Sequence, residues 1–194
     1  MAQFLIMNNE LLINRVFSVP IWKTSIQCDV NYLQNICYRI RETTDNILMT
    51  NIGGYQSSNI DWELFGSLKL DIQNILDKIS NNINEKCKFE IASSWFNINN
   101  GMNYNLHHEH PYSALSGVFY IKCNKNSGNI RFDSNSLMKH YPFNSYDSEL
   151  FNTYFDYQPE QMDLIIFPSW LTHSVFPSKD NEDRISLAFN TKQI

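Results

Sequence analysis

FEIASSWFNI (residues 89–98), ALSGVFYIK (114–122), MDLIIFP (162–168) and RISLAFN (184–190) decide the fold of this chain. Each is a short run rich in β-branched and aromatic residues, bounded by Gly, Pro, Asn, Asp or Ser, which is the pattern of a strand between turns. GNIRF (128–132) and THSVF (172–176) add two more such runs. The chain from residue 88 onward is therefore a β structure. NKNSG (124–128) and the long tract 133–161, with its Asn, Ser, Asp and Pro, read as connections between strands rather than as domain boundaries.

Working outward towards the N-terminus, the period changes. Residues 29–46 predict an amphipathic helix: Asp29 can cap it, and Leu33, Ile36, Cys37 and Ile40 recur on one helical face. A second helix is predicted from about residue 59 to 82, with Leu64, Leu68, Ile72, Ile75, Leu76 and Ile79 on its apolar side and Asp61 and Glu63 near its positive end. NIGGYQSSN (51–59) reads as a Gly and Ser loop between them, and Val16–Ile26, with Pro20 inside it, reads as an edge strand. Helices first and strands afterwards imply an α+β arrangement or a β sandwich with helices packed outside it.

A chain of 194 residues suits one domain, and a hydrophobic fraction of 43 % with 13 Phe, 10 Tyr and 4 Trp is far too apolar for a disordered segment. The formal net charge of -5, without any Lys and Arg run, argues against a nucleic-acid partner. Cys28, Cys37, Cys87 and Cys123 form no CxxC pair, which suits a reducing compartment. The N-terminal residues lack the features of a signal peptide and no stretch is apolar over a membrane span, so a soluble cytoplasmic protein is expected.

The chemistry concentrates in NLHHEHP (105–111) and FPSWLTHSVFP (167–177). Side chains two apart on an extended segment share a side, so His108 with His110, or His107 with Glu109, can chelate one ion. A third ligand must come from elsewhere, and His173 is the obvious supplier. Imidazole and carboxylate donors with open positions suit iron(II), and also zinc or manganese. Arg184 stands eleven residues beyond His173, where a short hairpin would bring it back beside the histidine to grip a carboxylate with two parallel hydrogen bonds. Against this stands the ordinary reading of an arginine in a surface ion pair with Glu182 or Asp183. His140, between Lys139 and Tyr141, reads as a solvated loop residue.

SSWFNINNGMNYNLHHEHPYSALSGVFYI (93–121) and LIIFPSWLTHSVFPSKDNEDRISLAFN (164–190) together resemble the 2-oxoglutarate- and iron(II)-dependent oxygenases. The nearer likeness is to a subfamily common in phages and marine bacteria, with N-x-x-H-x-H-P, LSGVYY, FPSWLxHxV and RxSxxFN motifs. The resemblance implies a double-stranded β-helix, or jelly roll: one domain over 1–194, with a helical support region (1–87) and a jelly-roll core carrying the metal site (88–194). It implies iron(II) on His108, His110 and His173, 2-oxoglutarate as co-substrate on Arg184 and Ser186, and hydroxylation of a primary substrate with release of succinate and carbon dioxide. The usual carboxylate position then holds His110; the rival pair His107 and Glu109 would keep the carboxylate. Asn97 and Tyr120, on strands expected to flank the pocket, are further candidates for the co-substrate, and Trp170 for a wall of the site. Two other readings remain open: a cupin-like jelly roll that binds metal or a small ligand without oxygenase chemistry, which has no need of Arg184, and a zinc isomerase or hydrolase. The primary substrate and the oligomeric state are not encoded in any motif.

Overall fold

The computed structural model describes residues 18–84, 86–134 and 153–194. His140 and the first residues of the expected edge strand lie outside them. In chain order the elements are β1 (Trp22–Ser25), α1 (Val30–Thr43), β2 (Asn51–Ile52), β3 (Tyr55–Gln56), a 3-10 turn (Trp62–Phe65), α2 (Leu68–Ile83), β4 (Phe89–Asn99), β5 (Tyr104–His108), β6 (Leu115–Lys122), β7 (Ile130–Asp133), β8 (Tyr154–Tyr157), β9 (Asp163–Pro168), β10 (His173–Val175) and β11 (Arg184–Gln193).

The strands form a six-stranded sheet in the order β1-β9-β6-β11-β4-β3 and a five-stranded sheet in the order β2-β5-β10-β7-β8. This is the double-stranded β-helix. β11 is the spine of the larger sheet, paired antiparallel along its length with β4 on one side and β6 on the other. The two-residue alternation of a strand then sends side chains to opposite faces. Phe96, Ile98, Phe119, Ile121, Ile185, Leu187 and Phe189 point outward to a core shared with Leu33, Ile36 and Cys37 of α1 and Leu68, Ile72, Leu76 and Ile79 of α2. At roughly 1.5–3 kcal/mol for each fully buried large apolar side chain, this layer fixes the larger sheet against the helices. A second cluster, Val118, Tyr120, Ile130, Phe132, Ile165, Phe167 and Leu171, fills the space between the sheets.

One close approach explains the glycine of LSGVFY. Gly117 lies opposite Phe189 in the ladder, and a Cβ there would sit 2.2 Å from the Phe189 ring. The aromatic ring occupies the room that any other residue would need.

The helices depart from expectation at their ends. α1 is capped by Asp29, whose carboxylate accepts from Tyr32 N–H at 3.0 Å. It stops at Thr43, because the Thr43 and Thr44 hydroxyls donate to the carbonyls of Arg39 and Ile40. The helix expected from residue 59 is broken: Gly66 adopts φ +59°, which ends the 3-10 turn before α2 begins at Leu68. In consequence Leu64, expected on the apolar face, is exposed, and Phe65 is buried instead.

Three connections also differ. The expected loop 51–59 contains two short strands flanking Gly53 and Gly54, and they join different sheets: β2 pairs with β5, β3 with β4. The expected connector 133–161 includes β8 as the edge of the smaller sheet. β10 and β11 are not a hairpin, because they belong to opposite sheets and residues 176–183 cross between them. β1 is the expected edge strand, paired with β9.

Candidate active site

The smaller sheet supplies one wall of a cavity of about 550 Å³. His173 of β10 and His108 of β5 are direct cross-strand partners. His110 lies just past the end of β5 and is held by its backbone N–H, which donates to the Ser169 carbonyl at 2.9 Å. One ring nitrogen from each of the three imidazoles lies within 4.8 Å of the others. A small closing movement would bring all three within the roughly 2.1 Å of a metal–imidazole bond to one ion.

Hydrogen bonds select the nitrogen that faces the cluster. His108 Nδ1 lies 2.7 Å from the Leu106 carbonyl and His173 Nδ1 lies 2.9 Å from the Leu171 carbonyl. A carbonyl only accepts, so each Nδ1 carries the hydrogen and each Nε2 keeps a lone pair, the arrangement that orients metal-binding histidines. Burial, reinforced by the neighbouring rings, pushes His173 down to about 3 and His110 down to about 4 from the usual 6.5. His108 is lowered too, chiefly by burial. The trio is thus neutral near pH 7, as ligation requires. The Phe167 ring packs against His173 at 4.8 Å and the Trp95 ring against His110 at 5.7 Å.

The rival pair is separated. His107 turns to Asp133, with Nε2 2.9 Å from Oδ2, while Glu109 is exposed and lies outside the trio, although it lines the cavity. Alternation along the chain puts residues 107 and 109 on the side opposite His108 and His110, and a register shift between β5 and β10 lies beside them, between His173 and Val175.

The larger sheet supplies the facing wall in ordered rungs. Arg184 lies beside Asn99; Ser186 lies between Asn97 and Tyr120; Ala188 between Trp95 and Val118; Asn190 between Ser93 and Ser116. Arg184 is 2 % exposed, so the surface ion-pair reading does not hold. Asp183 instead accepts from Tyr38 and Asn100, and Glu182 lies 3.6 Å from Lys122. Arg184 donates to the Gly128 carbonyl at 2.9 Å, which fixes one edge of its guanidinium. Burial lowers its pKa, yet an arginine keeps its charge near neutral pH. The Tyr120 hydroxyl is pushed well above its usual range by burial and remains a neutral donor. Asn97 Oδ1 is buried in this wall and has no hydrogen-bond partner among the described residues. A fixed cation, a hydroxyl and amide groups at one end, with three neutral imidazoles across from the rungs beyond, suit a chelating dicarboxylate stretched between a metal and an arginine.

Arg184, Ser186, Asn97, Tyr120, His108, His110 and His173 all line this one cavity. Trp170 does not: it is 52 % exposed and absent from the lining. Sequence reading missed Trp95 as the ring against His110, and Gly128 as the source of the carbonyl that anchors Arg184. Gly128 carried a signal in its place at the end of NKNSG; a Cβ there would lie 1.7 Å from the Phe176 carbonyl oxygen.

A family model described as "Putative 2OG-Fe(II) oxygenase" matches residues 93–190, which carry every one of these wall residues. A search of curated protein sequences returned no match. Among solved structures, the chain is similar to a prolyl-4-hydroxylase of Pseudomonas putida (TM-score 0.63, 14 % identity, covering 90 % of this chain and 93 % of that one). It is also similar to the viral collagen prolyl hydroxylase of Paramecium bursaria Chlorella virus-1 in its 2-oxoglutarate complex (TM-score 0.59, 10 % identity, 88 % and 94 % covered). HygX of Streptomyces hygroscopicus, with nickel and 2-oxoglutarate bound, gives a TM-score of 0.58 at 12 % identity, with 89 % and 82 % covered. At such identities these likenesses speak for the fold alone. With the family match spanning half of its length, the chain belongs to the 2-oxoglutarate- and iron(II)-dependent oxygenases, enzymes that use iron(II) as cofactor and 2-oxoglutarate as co-substrate.

Proposed function

We propose that His108, His110 and His173 hold the iron, that Arg184 and Ser186 hold the far carboxylate of 2-oxoglutarate, and that Asn97 and Tyr120 contact the same co-substrate. The observation that carries this reading is the placement of a neutral imidazole trio and a buried arginine on facing walls of one cavity. Bound iron and 2-oxoglutarate supply oxygen activation, with succinate and carbon dioxide as products and hydroxylation of a primary substrate as the outcome. The chain's own part is geometric and electrostatic. Leu106 and Leu171 carbonyls hold the imidazole tautomers, the Gly128 carbonyl aims Arg184, and Phe132, Phe167 and Trp95 narrow the space around the trio and keep water from it.

Three imidazoles in place of two and a carboxylate leave the ion with one more unit of positive charge, which strengthens its hold on an anionic co-substrate. We read residues 1–194 as one oxygenase domain: 1–87 supports it and 88–194 forms its catalytic core. No helix among the described residues is long and apolar enough to cross a membrane, and all four cysteines are free. The free cysteines support a reducing cytoplasm, that of the host where the gene is phage-borne.

Calorimetric titration of the metal-free protein with manganese(II), then with 2-oxoglutarate, tests the assignment. 2-Oxoglutarate binding that needs the metal and is weakened by Arg184→Met supports it. Metal binding indifferent to His173→Ala, or 2-oxoglutarate binding indifferent to Arg184→Met, contradicts it.

A further inference from the structure

A dicarboxylate reaching from the imidazole trio to Arg184 uses the inner rungs of the larger sheet. The lining extends past the Trp95 rung to the rung of Ser93, Asn190 and Ser116, and its chemistry differs from that around Arg184. Among the described residues Arg184 and Glu109 are the only lining residues with an ionic carboxylate or guanidinium. Arg184 is buried at the inner end; Glu109 is exposed, between His108 and His110 on the open side. The Trp95 ring lies 5.7 Å from the His110 ring, immediately beside Glu109 in sequence. One rung further out, Ser116 donates to Asn190 Oδ1 at 2.7 Å, which leaves the amide N–H groups of Asn190 turned away from that bond. A carboxylate, an indole and an amide thus line the same cavity as the imidazole trio, and the co-substrate accounts for none of them.

We propose that this outer half binds the primary substrate through an organic cation, an ammonium or guanidinium group, held by the Glu109 carboxylate and the face of Trp95. The carbon to be oxidised lies next to that group, over the trio, and Asn190 donates to a carbonyl or hydroxyl of the same molecule. The inference rests on the oxygenase reading for the word substrate, but the cation site is a separate claim about Glu109 and Trp95. A carboxylate beside a half-closed cavity attracts a cation more strongly than one in open water, and tryptophan is the best ring partner for it. An anionic substrate would instead meet Glu109 as a like charge. The chain's net charge of -5 favours approach of cations as well.

The test uses the full chain, loaded anaerobically with iron(II) and 2-oxoglutarate, and three probes of equal length: pentylammonium, pentan-1-ol and pentanoate. Calorimetry reads their affinity, and the visible band of chelated iron reads the cofactors. Pentylammonium is expected to bind at least about tenfold more tightly than either of the others. Glu109→Gln should erase that preference without changing iron affinity, and Trp95→Leu should weaken pentylammonium severalfold. Equal or tighter binding of the alcohol or the carboxylate overturns the inference, as does failure of every probe to bind. So does a preference that survives Glu109→Gln. Loss of iron affinity in Glu109→Gln overturns it too, by making Glu109 a ligand. If the band is absent but the ammonium preference holds, the oxygenase reading fails and the cation site stands; the reverse result removes this inference alone.

Discussion

The two walls of the cavity are built in opposite ways. The wall proposed for the metal gathers its three imidazoles from a short, irregular sheet: His173 on a three-residue strand, His108 at the last position of β5, and His110 beyond it, tied by backbone hydrogen bonds to Ser169 and Ser113. The wall proposed for the co-substrate is a ladder of long strands, with a register shift against β6 between Ile185 and Ser186, whose outer face is locked to both helices. The difference teaches where each function tolerates error. An ion can draw three nearby nitrogens together, whereas a diacid of limited length needs its arginine placed beforehand, and a sheet packed on two helices supplies that placement.

The strongest way to break the comparison is to remove one member of the metal wall. His173→Ala should abolish measurable iron(II) binding, while circular dichroism and melting report an intact fold. His110→Ala should do the same and Glu109→Ala should not; the reverse result would exchange the two registers. Next in size is Arg184→Met, which removes a buried cation on the ladder side. Truncating one partner of such a charge pair costs about 2–5 kcal/mol, so 2-oxoglutarate affinity should fall by roughly thirtyfold or more with iron affinity unchanged. Equilibrium titration of each ligand separates these effects.

A smaller effect probes the ladder itself. Gly117→Ala places a methyl against the Phe189 ring and should cost about 1–3 kcal/mol of stability by denaturant titration, with iron binding retained. A fully stable variant would mean that Phe189 has room to move, and the ladder is not the rigid wall described here.

A pH profile probes the enclosure of the trio. In the metal-free folded protein His173 and His110 are held at about 3 and about 4, against 6.5 when unfolded. Between those limits the unfolded chain binds more protons, so stability rises with pH and is lost progressively as pH falls below about 6.5. The melting temperature of the metal-free protein should therefore drop from about pH 7 to about pH 5, and less so in His173→Ala. A flat profile would mean that the trio is solvated rather than enclosed.

Much of the ladder was legible in sequence because its strands are runs rich in β-branched and aromatic residues bounded by turn residues: FEIASSWFNI, ALSGVFYIK and RISLAFN became β4, β6 and β11 with little change. The metal wall was legible as histidines crowded into NLHHEHP and one distant partner. The two-residue period gave the pairs His108 with His110 and His107 with Glu109, but which pair faces inward is set by how β5 pairs with β10, a tertiary feature that no local period records. The same limit explains β2 and β3, too short to show a pattern, and the crossing between β10 and β11, since adjacency in sequence does not name the sheet a strand joins. Gly66 was visible, but its backbone angle, and the burial of Phe65 over Leu64, follow from packing on the sheet. Asn97 and Tyr120 were placed by their neighbours across β11, a pairing that single strands do not reveal.

The central claim is that the trio and Arg184 act on one metal-bound co-substrate from facing walls. Its most direct measurement is an anaerobic titration of the metal-free protein with iron(II) and then 2-oxoglutarate, followed by visible absorption. A charge-transfer band in the wild type, absent at any 2-oxoglutarate concentration in His173→Ala and recovered only at much higher 2-oxoglutarate in Arg184→Met, is the predicted result. Iron binding without the band, or a band whose 2-oxoglutarate dependence ignores Arg184, would contradict it.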